Sequence, residues 1–252
     1  MIDLRLIGVG TGNPEHLTLA AVEALNSANL ILIPRKGPDK ADLAELRHRI
    51  LDAVLRQPVP VAEFDMPVRA DAGDYLTAVE RWHAEIAQLW TDVLSHRLPD
   101  GGRAALLVWG DPSLYDSTLR IAGRLQAGGL PLSVSVVPGI TSLQLLTAAH
   151  AVSLNGLGQP VVITTGRRLR RHGWPEATDR IAVMLDAGGA YQALDPQGVH
   201  IWWGACLGLP QQALIAGPLA EVVSRIGETR ARLRAAHGWV MDIYLLSRTG
   251  AS

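Results

Sequence analysis

Residues 3–14 read Asp-Leu-Arg-Leu-Ile-Gly-Val-Gly-Thr-Gly-Asn-Pro. The first seven, Asp3 to Val9, read as a short strand. Gly8, Gly10 and Gly12 then place three glycines in five residues, and Pro14 closes the turn. Thr18 follows as a helix N-cap, with Leu19, Val22 and Leu25 at helical spacing behind it. A strand, a glycine-rich turn and a helix in that order open an α/β fold on a parallel sheet. The alternation continues outward. Asn29 to Ile33 is a short apolar run ended by Pro34, and residues 41–56 carry Leu, Ile and Val at helical period before Gln57-Pro58. Residues 59–64 read as a strand. From Tyr75 to Leu98 an amphipathic helix aligns Val79, Trp82, Ile86, Leu89, Trp90, Val93 and Leu94 on one stripe. Residues 103–109 form a nearly continuous apolar run, as expected of a strand covered on both faces.

Further on the pattern changes. Residues 132–137, 160–165, 181–186, 199–203 and 239–247 read as strands between Gly- and Pro-rich turns, the last after a helical Arg-rich stretch. Leu143 to Ala149 reads as a helix. The expectation is two α/β domains, residues 1–114 and 115–252.

Composition narrows the function. The chain has 252 residues, 48% of them hydrophobic and 19% charged, which excludes intrinsic disorder. Lys plus Arg is 23 and Asp plus Glu is 24, so the net charge of −1 lacks the basic excess of a nucleic-acid binder. The single cysteine, Cys206, excludes an intrachain disulfide and a cysteine-based zinc site. None of the eight histidines stands four residues from another, so a metalloprotease-type zinc site is not expected. No apolar run approaches the ~18–20 residues of a membrane span. The N-terminus lacks the layout of a secretory signal. The expectation is a cytoplasmic protein with no metal, no membrane and no nucleic-acid partner.

Three strand-end segments carry the candidate chemistry. Gly8-Val-Gly10-Thr-Gly12 invites a dinucleotide reading, but the third glycine is one residue early and Pro14 follows. The second strand also ends without the carboxylate that holds a ribose. Three glycines nevertheless exceed what a plain turn needs, and point to a backbone that something approaches closely. Trp109-Gly110-Asp111-Pro112-Ser113-Leu114-Tyr115 follows the buried strand, at the end where open α/β sheets bind ligands. Asp111 suits a ligand hydroxyl or ammonium, or simply a turn. Val137-Pro138-Gly139-Ile140-Thr141-Ser142 precedes a helix, so its hydroxyls either cap that helix or face a ligand. Arg167-Arg168-Leu169-Arg170-Arg171-His172 is a solvated loop or a contact for an anionic substrate. There is no G-x-S-x-G elbow and no phosphate loop.

In this order and spacing the three segments resemble the tetrapyrrole methylase family, S-adenosylmethionine-dependent methyltransferases of corrin and sirohaem precursors. Thr164-Thr165-Gly166, Val183-Met184-Leu185 and Ala216-Gly217-Pro218-Leu219 extend the resemblance over nearly the whole chain. It implies two α/β domains with the cofactor in the cleft between them, in a homodimer. Longer strings, at residues 33–37, 64–69, 79–83 and 109–120, are similar to one branch of the family in aerobic cobalamin synthesis. For that branch the implied reaction methylates C-1 of precorrin-5 and releases its acetyl group as acetate. The products are precorrin-6A and S-adenosylhomocysteine.

The resemblance also assigns residues. Thr11 meets the cofactor in the first loop, where the family usually has Pro. Trp109, Gly110, Asp111 and Leu114 match the second loop, and Thr141 and Ser142 the third. Leu185 stands where the family often has Met, and Ala216 and Gly217 match a contact near the adenine. Arg35, Lys36, Arg69, Arg167 and Arg168 are the cations expected to pair with a many-carboxylate substrate. The sirohaem branch has an Asp base after the second strand. Here Ile33-Pro34-Arg35-Lys36 offers none, which leaves Lys36 and Asp65 as candidates for the deacylation step. Two other readings stay open. One is a methyltransferase of the same superfamily acting on another precorrin, on ribosomal RNA or on a modified histidine. The other is a non-catalytic tetrapyrrole carrier. The net charge argues against RNA, and retention of all three loops argues against a carrier.

Overall fold

A computed structural model describes residues 1–35, 41–68, 74–176 and 178–248. The chain divides into two compact units, Met1–Thr141 and Ser142–Ser252. The expected division after residue 114 falls inside the first unit. The reason is the strand at 132–137, which pairs in parallel with the first strand of the chain. Its apolar sequence is legible, whereas its partner lies about 130 residues away.

The first unit contains β1 (Ile2–Gly8), α1 (Leu19–Asn26), β2 (Leu30–Arg35), α2 (Ala41–Val54), β3 (Val61–Asp65), α3 (Tyr75–Arg97), β4 (Gly102–Val108), α4 (Thr118–Ala127) and β5 (Leu132–Val137). The sheet order is β3-β2-β4-β1-β5, and every pairing is parallel. Thr18 caps α1 as expected, its hydroxyl accepting from the Ala21 N–H at 3.1 Å. Strand alternation sorts the side chains into two layers. Leu4, Leu6, Ala104 and Leu106 pack with Ile86, Trp90 and Leu94 of α3 and Ile121 and Leu125 of α4. Ile7, Ala105 and Leu107 pack with Ala21 and Leu25 of α1 and Ile50 and Leu51 of α2. The neighbouring strands β1 and β4 therefore send the chain to opposite faces of the sheet, to α1 and α4. The carboxyl ends of strands that diverge in this way are where open α/β sheets bind ligands.

The second unit contains α5 (Ser142–His150), β6 (Val162–Thr165), α6 (Gly166–His172), β7 (Arg180–Met184), β8 (Val199–Ala205), β9 (Ala213–Pro218), α7 (Leu219–His237) and β10 (Asp242–Arg248). The order is β6-β7-β10-β8-β9, parallel at β6–β7 and antiparallel elsewhere. Its core gathers Ile181, Val183, Ile201, Trp203, Ile215, Tyr244 and Leu246 under Leu169 of α6 and Leu219, Val222, Ile226 and Leu233 of α7. Three elements depart from the sequence reading, the first being β9, which it passes over. The Arg167–His172 cluster is helical, because Thr165 caps α6 by accepting from the Arg168 N–H. The strand read at 181–186 stops at Met184, because Leu185 turns to φ +51°. No helix of the described residues is long and apolar enough to cross a membrane.

Gly123 in α4 and Gly227 in α7 have no neighbour within 4 Å of an added Cβ. Alanine at either position should stabilise the protein by about 0.8–1 kcal/mol through helix propensity alone. A rise in the urea midpoint at constant m-value checks this; an unchanged or lower midpoint refutes it.

Candidate functional site

At the carboxyl ends of β1 and β4 the first two glycine loops bind each other. The Gly10 N–H donates to the Gly110 carbonyl at 3.3 Å, and the Gly110 N–H to the Gly10 carbonyl at 2.7 Å. Both residues are left-handed, at φ +68° and +63°, so both sites favour glycine. The third loop lies on the same crossing. A Cβ on Gly139 would stand 2.6 Å from the Gly8 carbonyl carbon and closer still to the Gly110 oxygen. A Cβ on Gly8 would stand 2.6 Å from the Gly139 nitrogen. Three turns thus cross backbone on backbone. Thr11, half-buried, lies in the first of them, and the buried Thr141 ends the third.

Asp111 ties these loops together. One carboxylate oxygen accepts from the Gly139 N–H at 2.9 Å, and the other from the Ser113 N–H at 2.8 Å and from the Ser113 hydroxyl. The Leu114 N–H donates to the Asp111 carbonyl at 3.2 Å, which closes the turn. Burial pushes the Asp111 carboxyl up, but the bonds from the Ser113 hydroxyl and the Gly139 and Ser113 amides outweigh it and hold it below the usual carboxylate range. The sequence reading left this carboxylate between a ligand and a turn, with the family resemblance placing it at the cofactor. The structure shows it holding the second loop against the third.

Under the second loop lies a residue that the sequence reading passed over. Arg47 of α2 is 4% exposed, donates from Nε to the Leu107 carbonyl at 3.4 Å, and stacks 4.8 Å from the Trp109 ring centroid. Burial pushes its guanidinium down to about 10, with Asp116 opposing, so it stays cationic at neutral pH. Asp116 in turn accepts from the Thr118 N–H at 2.7 Å at the start of α4. The Trp109 indole nitrogen is buried with no hydrogen-bond partner among the described residues. Arg47 gives little sign in sequence, because it occupies one of many polar positions on an amphipathic helix.

The remaining candidates are more dispersed. Ser142 begins α5 and is half-buried. Leu185 is 65% exposed. Ala216 and Gly217 lie on β9, three strand spacings from β7, on the order of 14 Å. The structure therefore does not bring them beside Leu185. Arg167 and Arg168 are exposed on α6. Arg35 and Asp65, given separate roles from sequence, bind each other. The Arg35 guanidinium donates to both Asp65 oxygens, at 3.1 and 3.2 Å, and also pairs with Glu63. Their pairing follows from register, since Arg35 and Asp65 are partners at the ends of the parallel strands β2 and β3. Lys36 and Arg69 lie outside the described residues.

Three glycine loops crossed at the carboxyl ends of one parallel sheet, followed by a mixed five-stranded unit, define a class. The profile of the Tetrapyrrole (Corrin/Porphyrin) Methylases matches residues 3–223, and the chain belongs to that family of S-adenosylmethionine-dependent methyltransferases. Among individual relatives, the precorrin-6A synthase [deacetylating] of a Sinorhizobium species is 48% identical over 254 residues, covering 100% of this chain and 97% of that one. A solved cobalamin-synthesis-related protein (CobF) from Corynebacterium diphtheriae has a TM-score of 0.82 at 39% identity, covering 98% and 99% of the two chains. The uroporphyrin-III C-methyltransferase of Thermus thermophilus, solved with S-adenosylhomocysteine, shares the fold at a TM-score of 0.59 and 20% identity, over 97% of this chain and 92% of that one.

Proposed function

We propose that this protein methylates C-1 of precorrin-5 and removes its acetyl group. Precorrin-5, S-adenosylmethionine and water give precorrin-6A, S-adenosylhomocysteine and acetate. The observation that carries this is the 48% identity, over the entire chain, to the Sinorhizobium precorrin-6A synthase. A cytoplasmic homodimer, implied by the family resemblance, belongs to the same proposal.

The residues present fit the cofactor. The glycine crossing packs the backbones of three loops together more closely than a Cβ on Gly8 or Gly139 would allow, and leaves Gly110 with no neighbour nearer than 4.0 Å to the place of a Cβ. It is flanked by the buried Thr141 and by Trp109, whose indole N–H has no described partner. In the first unit, Thr11, Trp109, Gly110, Leu114 and Thr141 would hold the cofactor, with Asp111 fixing the loops that carry them. In the second unit, Leu185 has the geometry of a ligand contact, an apolar side chain held outward. When bound, S-adenosylmethionine supplies an electrophilic methyl group. The task left to the protein is orientation and exclusion of water, which needs few reactive side chains. Exposed Arg167 and Arg168 suit a substrate rich in carboxylates. Arg35 serves that purpose only by exchanging Asp65 for a substrate carboxylate.

The test is mass spectrometry of the product formed from precorrin-5 and S-adenosylmethionine. One added methyl, one lost acetyl group and free acetate are expected. A methyl gain without acetyl loss would reassign the protein to another precorrin methylation. Bound S-adenosylmethionine without transfer would make it a carrier.

A further inference from the structure

Leu185 combines two features that do nothing for folding. It is 65% exposed, and its backbone sits at φ +51°, a region that a leucine enters only at a cost. The next residue is its opposite. The Asp186 side chain is 1% exposed, and both carboxylate oxygens are filled. One accepts from Arg170 of α6 at 2.7 Å and from the Gly188 N–H at 3.2 Å. The other accepts from the Ala190 N–H at 2.5 Å and from the Tyr244 hydroxyl of β10 at 2.7 Å. The Asp186 carbonyl accepts from Arg230 of α7 at 3.3 Å. Gly166 packs against the carboxylate so closely that no Cβ fits there. Four separate pieces of the second unit thus converge on the residue beside Leu185. Strained backbone persists where its surroundings over-determine it, and such sites concentrate where ligands are held.

We propose that Asp186 is a positioning residue, held by Arg170 and Tyr244, that fixes Leu185 in its outward conformation against the bound cofactor. The inference rests on the reading that the protein binds S-adenosylmethionine. It adds that the apolar contact at 185 is preset by a buried carboxylate, not formed when the ligand arrives. Burial pushes the Asp186 carboxyl up, but its bonds from Tyr244, Ala190, Arg170 and Gly188 prevail, so it is ionised at neutral pH.

A double-mutant cycle read by calorimetry with S-adenosylmethionine tests this. Leu185→Gly relieves the backbone and removes the contact. It should leave Tm unchanged or higher while Kd rises about tenfold. Asp186→Asn should raise Kd about tenfold in the wild-type background and have no further effect on Kd in the Leu185→Gly background, although its effect on Tm persists. Where Asp186→Asn does not fold, Tyr244→Phe takes its place in the cycle, with an expected rise of a few-fold. Additive effects on Kd would overturn the proposal, because Asp186 would then act by another route. A Kd unmoved by Leu185→Gly would also overturn it. Wild-type protein that fails to bind S-adenosylmethionine would instead sink the functional reading on which the proposal stands.

Discussion

Gly139→Ala is expected to abolish S-adenosylmethionine binding and to destabilise the first unit by about 3 kcal/mol, the upper end of the cost of overpacking. The added methyl would meet Gly8 backbone atoms at 2.6 and 2.7 Å and the Gly110 oxygen closer still. None of these is the far end of a flexible side chain. All belong to strand ends or turns locked by the Gly10–Gly110 pair. Relief therefore requires pulling the third loop away from the other two, which undoes the crossing that shapes the site. Gly110→Ala provides a contrast. A Cβ there has its nearest neighbour at 4.0 Å, so the penalty is the left-handed backbone alone, about 1–2 kcal/mol. Urea unfolding and calorimetry on the two variants separate the effects. If Gly139→Ala binds S-adenosylmethionine like the wild type, the crossing is not the cofactor cradle.

These expectations depend on features that the sequence shows to different degrees. The Gly8–Pro14 turn, the Thr18 cap and the buried run before Trp109 are legible because each signal is local. Periodicity and capping act within one turn or one strand. The Arg167–His172 segment misleads because Leu169 is its one apolar residue, so no helical stripe exists to be read. Its helicity comes from the Thr165 cap and from Arg170 reaching Asp186. β9 is hard to see for another reason. Among the described residues it pairs with β8 alone, at the edge of the sheet, and it ends in Ala-Gly-Pro, which reads as a turn. Long-range pairing is the main gap. Nothing local says that β5 lies beside β1, that Arg35 meets Asp65, or that a carboxylate just past Leu185 gathers groups from α6 and β10. The Asp-Ala-Gly-Gly run at 186–189 does carry the turn chemistry of an Asp bonding its own following backbone, and that was the available signal.

Asp111→Asn is the second large effect expected, and it acts through loops, not through a lost charge on a ligand. The carboxylate accepts from three donors, two of them backbone amides on different loops. An asparagine can keep only one side of this set. If its oxygen faces Ser113, its amide nitrogen meets the Gly139 N–H, donor against donor. Hydrogen bonds to a charged acceptor contribute about 1.5–3 kcal/mol each. Losing the bond to Gly139 frees the third loop from the second and should raise the Kd for S-adenosylmethionine about 10- to 100-fold. The fold should survive, because the sheet beneath is held by parallel pairing and two apolar layers that do not involve Asp111. The pH dependence has a definite sign. The folded carboxyl titrates below its ordinary value of 3.8, so its contribution is complete above about pH 4 and is lost as pH falls through the folded value. Wild-type affinity should therefore not vary between pH 6 and 8 on account of Asp111, and the Asn variant should show its full deficit throughout that range. Calorimetry at pH 6, 7 and 8 on both proteins decides it, and equal affinities would show that the Asp111–Gly139 bond does not set the site.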